Sequence, residues 1–172
     1  EFPDLWTATP GFDAPVQVST ANPQQSDYRW STAELTSWTA LNGETLDGII
    51  YKPDDFDADA TYPLMVYFYE RNSDNLNNHW APAPHRSIIN PTFYASRGYV
   101  VFVPDIVYEE GYPGESAYNS IMPGVTELAD APFIDRERIG VQGHSWGGYQ
   151  IAHLITRTDV FAAAEAGAPV SN

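Results

Sequence analysis

The feature that most constrains the fold is a glycine-flanked serine between a strand pattern and a helix pattern. Ser145 stands in the motif Gly143-x-Ser-x-Gly147, directly after a stretch in which Ile139 and Val141 alternate with small or polar residues. The two glycines fall where a Cβ would obstruct a sharp turn from strand to helix. The motif therefore predicts a nucleophile elbow, in which the strained turn pushes the serine oxygen out of the sheet.

A helical pattern follows the serine. Ile151, Leu154 and Ile155 recur at helical spacing, so the amino-terminal end of this helix should lie beside Ser145. The helix dipole and the free N–H groups of the first turn favour negative charge at that point. A bare glycine-flanked serine arises by chance in roughly one chain of this length in twenty. The added strand, the helix and Gly148 make acyl-transfer chemistry the favoured interpretation over an idle serine in a glycine-rich turn.

The segments around the elbow predict an α/β fold. Two strand-like runs, 34–40 and 46–52, flank Asn42-Gly43, the dipeptide most typical of a hairpin turn. Apolar runs then alternate with helix patterns, which indicates parallel strands joined by crossover helices. The further strands are predicted at 62–69, 99–103 and 161–166, and the helices at 91–98 and 116–131. This is the order of the first half of an α/β-hydrolase sheet, an antiparallel hairpin followed by parallel strands.

Composition limits the possible partners. With 43% hydrophobic residues, the 172-residue chain can build a substantial core. A formal net charge of -15 excludes nucleic acid and anionic membrane as expected partners, because both would repel it. No apolar run is long enough to span a bilayer, and the absence of Cys excludes disulfides and thiolate metal sites. We expect no metal and no cofactor. A periplasmic or secreted location is favoured over a cytoplasmic one.

Three segments carry a resemblance to a known family. The segments 135–149, 156–158 and 166–172 resemble the nucleophile region of the prolyl oligopeptidase family of serine peptidases. The dipeptidyl-peptidase IV and acylaminoacyl-peptidase branches are the most similar. The resemblance implies a peptidase that hydrolyses short peptides through an acyl-enzyme, with Ser145 as the nucleophile. It also implies that residues 1–33 are a β-propeller remnant and linker, and that 34–172 are the N-terminal part of the catalytic domain.

The general base that a serine nucleophile needs is not found among the four histidines. In α/β-hydrolases the order along the chain is Ser, then Asp or Glu, then His, and only His153 follows Ser145. Eight residues along one helix place it about 12 Å from the serine, beyond hydrogen-bond reach. His144 is interpreted as structural, and His79 and His85 as surface residues. The resemblance places both Asp and His beyond residue 172, so we expect them later in the reading frame or on a companion chain.

The other candidate site residues come from the elbow and from the resemblance. The backbone N–H of Trp146, the residue after the nucleophile, is expected to donate to the oxyanion. The resemblance implies a tyrosine hydroxyl as second donor, and alignment on 62–64 brings Tyr69 to that position. The alternative is a buried strand tyrosine with a satisfied hydroxyl. The family usually continues with small residues and proline, whereas this chain has Glu-Arg-Asn-Ser at 70–73. Trp146 and Val170 match positions that line the primary specificity pocket of the family.

Three functions remain open at this point. The first is a serine peptidase acting on peptide substrates, favoured by Tyr69 and the propeller-like leader. The second is an esterase, because the elbow alone fixes acyl transfer and not amide over ester. The third is a non-catalytic fragment or interaction subunit, favoured by the missing base. No role is assigned to four charged residues near the predicted strand ends, Arg71, Asp105, Glu109 and Glu110.

Overall fold

The computed structural model describes residues 3–171, which form a six-stranded mixed sheet with helices on both faces and a short β-rich leader. The strands are β1 (Trp6–Thr7), β2 (Val16–Gln17), β3 (Ser31–Thr39), β4 (Thr45–Pro53), β5 (Tyr62–Tyr67), β6 (Val100–Pro104), β7 (Ile134–His144) and β8 (Ala163–Gly167). The helices are α1 (Pro91–Ala95), α2 (Pro113–Ala129) and α3 (Trp146–Leu154). The predicted α/β class is confirmed.

The large sheet has the strand order β3-β4-β6-β5-β7-β8. β3 and β4 are antiparallel, β4 and β6 are antiparallel, and β6, β5, β7 and β8 run parallel. The predicted hairpin is confirmed, since its ladder closes at the pair Thr39 and Thr45 and Gly43 takes φ +88° in the turn. The carboxyl ends of the parallel strands meet at one edge, where sheets of this kind bind ligands.

Several element boundaries differ from the sequence prediction by two or three residues, among them the start of β3, the end of α1 and the start of β8. Two further differences, at β5 and α2, have a clear structural reason. β5 ends at Tyr67 and not at residue 69, because its last paired residue faces Gln142 of β7 and the chain then passes under the elbow. A Cβ added to Gly147 would lie 3.2 Å from the carbonyl oxygen of Phe68, which shows how closely the two segments approach. α2 begins at Pro113, three residues before the predicted start, since proline is favoured in the first turn of a helix.

The core is divided by the sheet into two apolar clusters. α2 and α3 cover one face, where Phe68, Phe102 and Ile121 are almost completely buried. α1 covers the other face, where Tyr67 and Val101 lie in a smaller cluster. Successive residues of a strand point to opposite faces of the sheet, so β5 and β6 contribute side chains to both clusters. This two-sided burial accounts for the continuous apolar runs in β5 and β6.

α2 continues without a break through Pro123 and Gly124. Proline has no N–H, so the carbonyl of Asn119 cannot be paired in the usual way. The Leu41 N–H from the β3–β4 turn donates to that carbonyl at 3.0 Å. Trp38 of β3 contacts the same region, since its indole nitrogen donates to the Ser120 carbonyl at 2.7 Å. The hairpin thus supplies the hydrogen bond that the helix lacks.

The leader, residues 3–30, is held largely by its own hydrogen bonds. β1 and β2 form a small antiparallel pair, and a 3-10 helix follows at Pro23–Asp27. The Asp4 carboxylate accepts hydrogen bonds from the Ala21 N–H and the Ser19 hydroxyl, and these lower the pKa of Asp4. That the leader is the remnant of a β-propeller stays a prediction. None of the helices between residues 3 and 171 has the length and apolar character needed to cross a membrane.

Candidate active site

Ser145 occupies a strained turn between β7 and α3. Its backbone has φ +60° and ψ -116°, a region that residues with a side chain seldom adopt. A Cβ added to Gly143 would lie 2.7 Å from the backbone of Gly147, so the chain can cross itself here only with glycine at residue 143. The predicted strand, turn and helix are all present. The backbone at Ser145 therefore has the form of a nucleophile elbow.

The end of β8 and the segment after it brace this turn. The Ser145 N–H donates to the carbonyl of Gly167 at 2.9 Å, and the Val170 N–H donates to the carbonyl of Ser145 at 3.3 Å. A Cβ added to Gly148 would lie 2.9 Å from the Gly167 oxygen, so this third glycine permits the close approach. The turn is thereby fixed from both sides.

The backbone N–H of Trp146 is the first of α3 and has no carbonyl one turn earlier with which to pair. No residue within 3–171 accepts a hydrogen bond from it. It is free to donate to an anion beside Ser145, as the expected oxyanion role requires. The Trp146 side chain is 48% exposed and contacts Tyr149 edge to face, with ring centroids 5.8 Å apart.

Tyr69 lies beyond the end of β5 and next to the elbow. A Cβ added to Gly147 would lie 3.8 Å from Cδ2 of the Tyr69 ring. Tyr69 is 37% exposed, and its hydroxyl forms no hydrogen bond with another described residue, so it is not a buried strand tyrosine with a satisfied hydroxyl. Tyr67, by contrast, is buried in the cluster on the α1 face, and burial, with a smaller effect of Tyr69, raises its pKa to about 12. The structure thus keeps Tyr69, and not Tyr67, at the surface of the elbow.

A cleft of about 520 Å³ opens beside the elbow. Both predicted pocket residues, Trp146 and Val170, line it. The other residues of the cleft wall and rim are Glu70, Tyr108, Glu109, Glu110, Gly111, Pro113, Tyr149, Gln150 and Ser171. The residues that the resemblance places in a specificity pocket therefore share one cavity next to Ser145.

Three further residues of the cleft, Tyr108, Tyr149 and Gln150, are not predicted from the sequence. Gln150 is buried, and its side-chain nitrogen donates to the Tyr108 hydroxyl at 2.7 Å. Burial raises the pKa of Tyr108, the hydrogen bond from Gln150 lowers it, and the nearby Glu70 and Tyr69 raise it further. Two features of the sequence could have indicated that these tyrosines belong to the site. Tyr108 lies four residues beyond the end of a buried parallel strand, and Tyr149 lies one helical turn after Ser145.

Asp105, for which no role is predicted from the sequence, anchors the loop after β5. Its buried carboxylate accepts hydrogen bonds from the N–H groups of Asn72 and Ser73 at 2.6 and 2.8 Å, and from the Ser73 hydroxyl at 2.5 Å. Arg71 approaches the same carboxylate at 3.9 Å. These bonds hold the Glu-Arg-Asn-Ser loop at residues 70–73.

Each of the four histidines has a different set of neighbours. The ring of His153 packs against Gly114 at the start of α2, with Nε2 3.6 Å from Glu115. His144 Nδ1 faces Gly167, and His85 is exposed and accepts a hydrogen bond from the N–H of Ser87. His79 is partly buried against Trp30, with ring centroids 5.2 Å apart. No cluster of His, Asp or Glu side chains in the described part of the chain is arranged to hold a metal ion.

Comparison with known proteins identifies the family. The model of the prolyl oligopeptidase family matches residues 84–172, which is more than half of the chain. The chain belongs to the prolyl oligopeptidase family. It is 32% identical to dipeptidyl peptidase 8 of Mus musculus over 155 residues, which are 83% of this chain and 17% of that protein. It is 27% identical to dipeptidyl-peptidase 5 of Porphyromonas gingivalis over 98% of this chain and 26% of that protein. The chain thus spans about a quarter or less of these relatives.

Solved structures show the same fold. The acylaminoacyl peptidase of Pyrococcus horikoshii superposes with a TM-score of 0.68 at 21% identity, over 98% of this chain and 28% of that one. Dipeptidyl peptidase 4 of Porphyromonas gingivalis superposes with a TM-score of 0.63 at 23% identity, over 87% of this chain and 22% of that one. The sheet described above is therefore the α/β-hydrolase sheet of this family.

Proposed function

We propose that the protein is a serine peptidase that hydrolyses short peptides through an acyl-enzyme formed on Ser145. The observation that carries the proposal is the backbone of Ser145, which is held at φ +60° between β7 and the amino-terminal end of α3. A strained turn of this kind exposes the serine oxygen where the helix dipole favours negative charge. The dipeptidyl peptidases among the relatives support a peptide as the substrate.

In this mechanism Ser145 Oγ attacks the carbonyl carbon of the scissile bond. The oxygen of that carbonyl becomes an anion, which accepts hydrogen bonds from the Trp146 N–H and the Tyr69 hydroxyl. The base of the triad takes the Ser145 proton and gives it to the leaving amine as the C–N bond breaks. Water then attacks the acyl-enzyme and releases the acyl group from the serine. Trp146 and Val170 contact the substrate side chain in the cleft.

The Asp and the His of the triad are proposed to come from outside the 172 residues. The surroundings of two histidines support this proposal, since His153 Nε2 lies 3.6 Å from Glu115 and the His79 ring packs against Trp30. The relatives are four to six times longer than the matched segment, which leaves room for both residues. In the same proposal, residues 1–33 are the end of a preceding propeller and its linker.

The test is labelling and turnover in the full-length protein. A fluorophosphonate should modify Ser145 and no other serine, and peptide anilides should be hydrolysed with a burst of product. Ser145→Ala should lower kcat by on the order of 10⁶-fold, because the whole triad acts as one unit. Ser171→Ala, on the rim of the same cleft, is the matched control for a local change in structure. Labelling at another serine, or hydrolysis of esters without hydrolysis of peptides, would contradict the peptidase assignment.

A further inference from the structure

The segment that follows β5 carries Tyr69 past the elbow, and its backbone is held on both sides of this residue. Phe68 is completely buried, and its carbonyl oxygen would lie 3.2 Å from a Cβ added to Gly147. After Tyr69, the carbonyl of Glu70 accepts a hydrogen bond from the Ile106 N–H at 2.9 Å. The Tyr69 hydroxyl itself has no partner among residues 3–171. Its position therefore depends on the backbone before and after it.

Asp105 holds this backbone shortly after Tyr69. Asp105 is 7% exposed, and its Oδ1 accepts hydrogen bonds from the N–H groups of Asn72 and Ser73 at 2.6 and 2.8 Å. Its Oδ2 accepts a third bond, from the Ser73 hydroxyl at 2.5 Å. Burial of a carboxylate is costly unless its oxygens accept hydrogen bonds, and bonds to a charged acceptor are strong. The three bonds reach two successive residues of one loop, so Asp105 fixes where that loop runs.

Asp105 is itself anchored to the sheet. It follows β6, whose Pro104 pairs with Gly48 of β4, and the Asp105 N–H donates to the carbonyl of Asp47 at 3.0 Å. Arg71 adds little to this anchor, because its side chain is 69% exposed and its Nε lies 3.9 Å from the carboxylate. The hydrogen bonds of Asp105 thus connect a rigid part of the sheet to the loop after β5.

A tyrosine in this place can act on an oxyanion only if its loop is held. The donor has to stand about 2.7–3.1 Å from the point where the negative charge forms. A displacement of about 1 Å near a reacting centre is enough to lower the rate by roughly 10²-fold. Tyr69 is 37% exposed and lies beyond Tyr67, the last paired residue of β5, so the strand ladder does not fix it. The anchor after Tyr69 has to supply this precision.

We propose that Asp105 is a positioning residue that keeps the Tyr69 hydroxyl ready to donate to the oxyanion. The carboxylate does not touch the substrate. It holds the loop at Asn72 and Ser73, so that the hydroxyl is in place before the carbonyl oxygen becomes an anion. A donor that is held in advance needs no reorganisation during the reaction. The inference rests on the proposed function, because Tyr69 has this role only if Ser145 forms an acyl-enzyme.

The test is a double-variant cycle in the full-length protein. Asp105→Ala and Asp105→Asn are each made alone and together with Tyr69→Phe. Ala removes all three hydrogen bonds. Asn keeps Oδ1 for the two N–H groups and can donate to the Ser73 hydroxyl through Nδ2, so it answers the question if the Ala variant does not fold. The measured quantities are kcat and KM on one peptide anilide, with kcat taken per Ser145 labelled at completion by a fluorophosphonate.

Asp105→Ala should lower kcat by about 10- to 100-fold and leave KM within about two-fold, because the lost interaction exists only in the transition state. Asp105→Asn should lower kcat by less, about 3- to 10-fold, since it keeps the two N–H bonds. Combined with Tyr69→Phe, either change should lower kcat by less than about two-fold further, because the group that Asp105 positions is already gone. Asp74→Ala, which removes a 76% exposed carboxylate from the same loop, is the matched control and should leave kcat unchanged.

A carboxylate that merely stabilises the protein would give another pattern. The loss of kcat would then be the same with Tyr69 and with Phe at residue 69, and this result would overturn the inference, as would an unchanged kcat in both Asp105 variants. The amide protons of Asn72 and Ser73 should also exchange faster with solvent in the Asp105 variants. Unchanged exchange would mean that the carboxylate does not hold the loop.

Failure of the inference can be told apart from failure of the proposed function. If Tyr69→Phe has full activity while Ser145 is labelled and peptides are cleaved, the inference is wrong and the peptidase assignment stands. If Ser145 is not labelled and no peptide is cleaved by the wild-type protein, the proposed function is wrong and the inference is wrong with it.

Discussion

The ring of Tyr69 lies against Gly147, the second glycine of the elbow, at the distance of an ordinary side-chain contact. A Cβ added to Gly147 would lie 3.8 Å from Cδ2 of Tyr69, so the tyrosine stands directly beside the turn that carries Ser145. Its hydroxyl has no partner among the described residues, so it is available to an oxyanion. The contact joins the strand-end loop of β5 to the first turn of α3.

Replacing Tyr69 by Phe should lower kcat of the full-length protein by roughly 10²- to 10³-fold, with KM nearly unchanged. The hydrogen bond is expected to form only as the carbonyl oxygen becomes an anion, so its loss affects the transition state and not substrate binding. Steady-state kinetics on one peptide anilide measure this. Tyr67→Phe is the matched control, since Tyr67 lies on the opposite face of the sheet. A loss of activity in Tyr67→Phe alone would move the role to Tyr67.

The 172-residue chain by itself should have no measurable peptidase or esterase activity. We propose that the base of Ser145 lies outside the 172 residues, and a serine without its base loses most of the rate that a triad provides. The assay is hydrolysis of an activated ester by the purified chain, compared with its Ser145→Ala variant. Turnover at the rate of a complete enzyme that Ser145→Ala abolishes would show that the base is inside this chain.

The 172-residue chain should also self-associate in solution. Within residues 3–171, β8 is the edge strand of the sheet and pairs only with β7, and its residues 163–165 are exposed. An uncovered strand edge pairs readily with another chain. Sedimentation velocity should therefore show oligomers whose share rises with concentration. A monomeric chain with one cooperative unfolding transition would contradict the expectation that a companion segment covers this edge.

Gly124→Ala should destabilise the protein by about 1–2 kcal/mol, although alanine is the better helix former by roughly 1 kcal/mol. The added Cβ would lie 2.8 Å from the Trp38 ring, which Gly48 confines on its other side. Urea unfolding measures the change. Gly140→Ala is the control, because its Cβ would meet Met65 at an ordinary 3.5 Å. A stabilised Gly124→Ala variant would mean that the Trp38 ring can move aside.

Stability should fall as the pH rises from 10 to 12. Burial raises the pKa of Tyr67 to about 12, above the ordinary value of 10.0, so the folded state holds this proton more tightly than the unfolded state. The resulting stabilisation is complete below pH 10 and is lost as the pH approaches 12, with a total of roughly 2–3 kcal/mol. Urea unfolding at several alkaline pH values measures the slope. Tyr67→Phe should flatten it, and the same slope in wild type and variant would disprove the contribution of this phenol.

The sequence predicted the elements near the elbow well because each carries its own local signal. Gly143 and Gly147 indicate that the chain crosses itself closely, and the Asn42-Gly43 pair indicates the hairpin. The cleft was not predictable in the same way. Gln150 is a helix residue like any other until the fold brings Tyr108 to it from 42 residues away. The role of Asp105 likewise depends on a hydrogen bond with Ser73, which lies more than 30 residues earlier in the sequence.

The hydrogen bond from the Leu41 N–H to the Asn119 carbonyl has a consequence for how the protein opens. α2 cannot complete its middle turn from its own backbone, because Pro123 offers no N–H. The β3–β4 turn provides the donor, so undocking the hairpin leaves a helix with an unpaired carbonyl at its centre. The hairpin and the helix are then expected to open as one cooperative unit, and their amide protons to exchange with solvent at a common free energy.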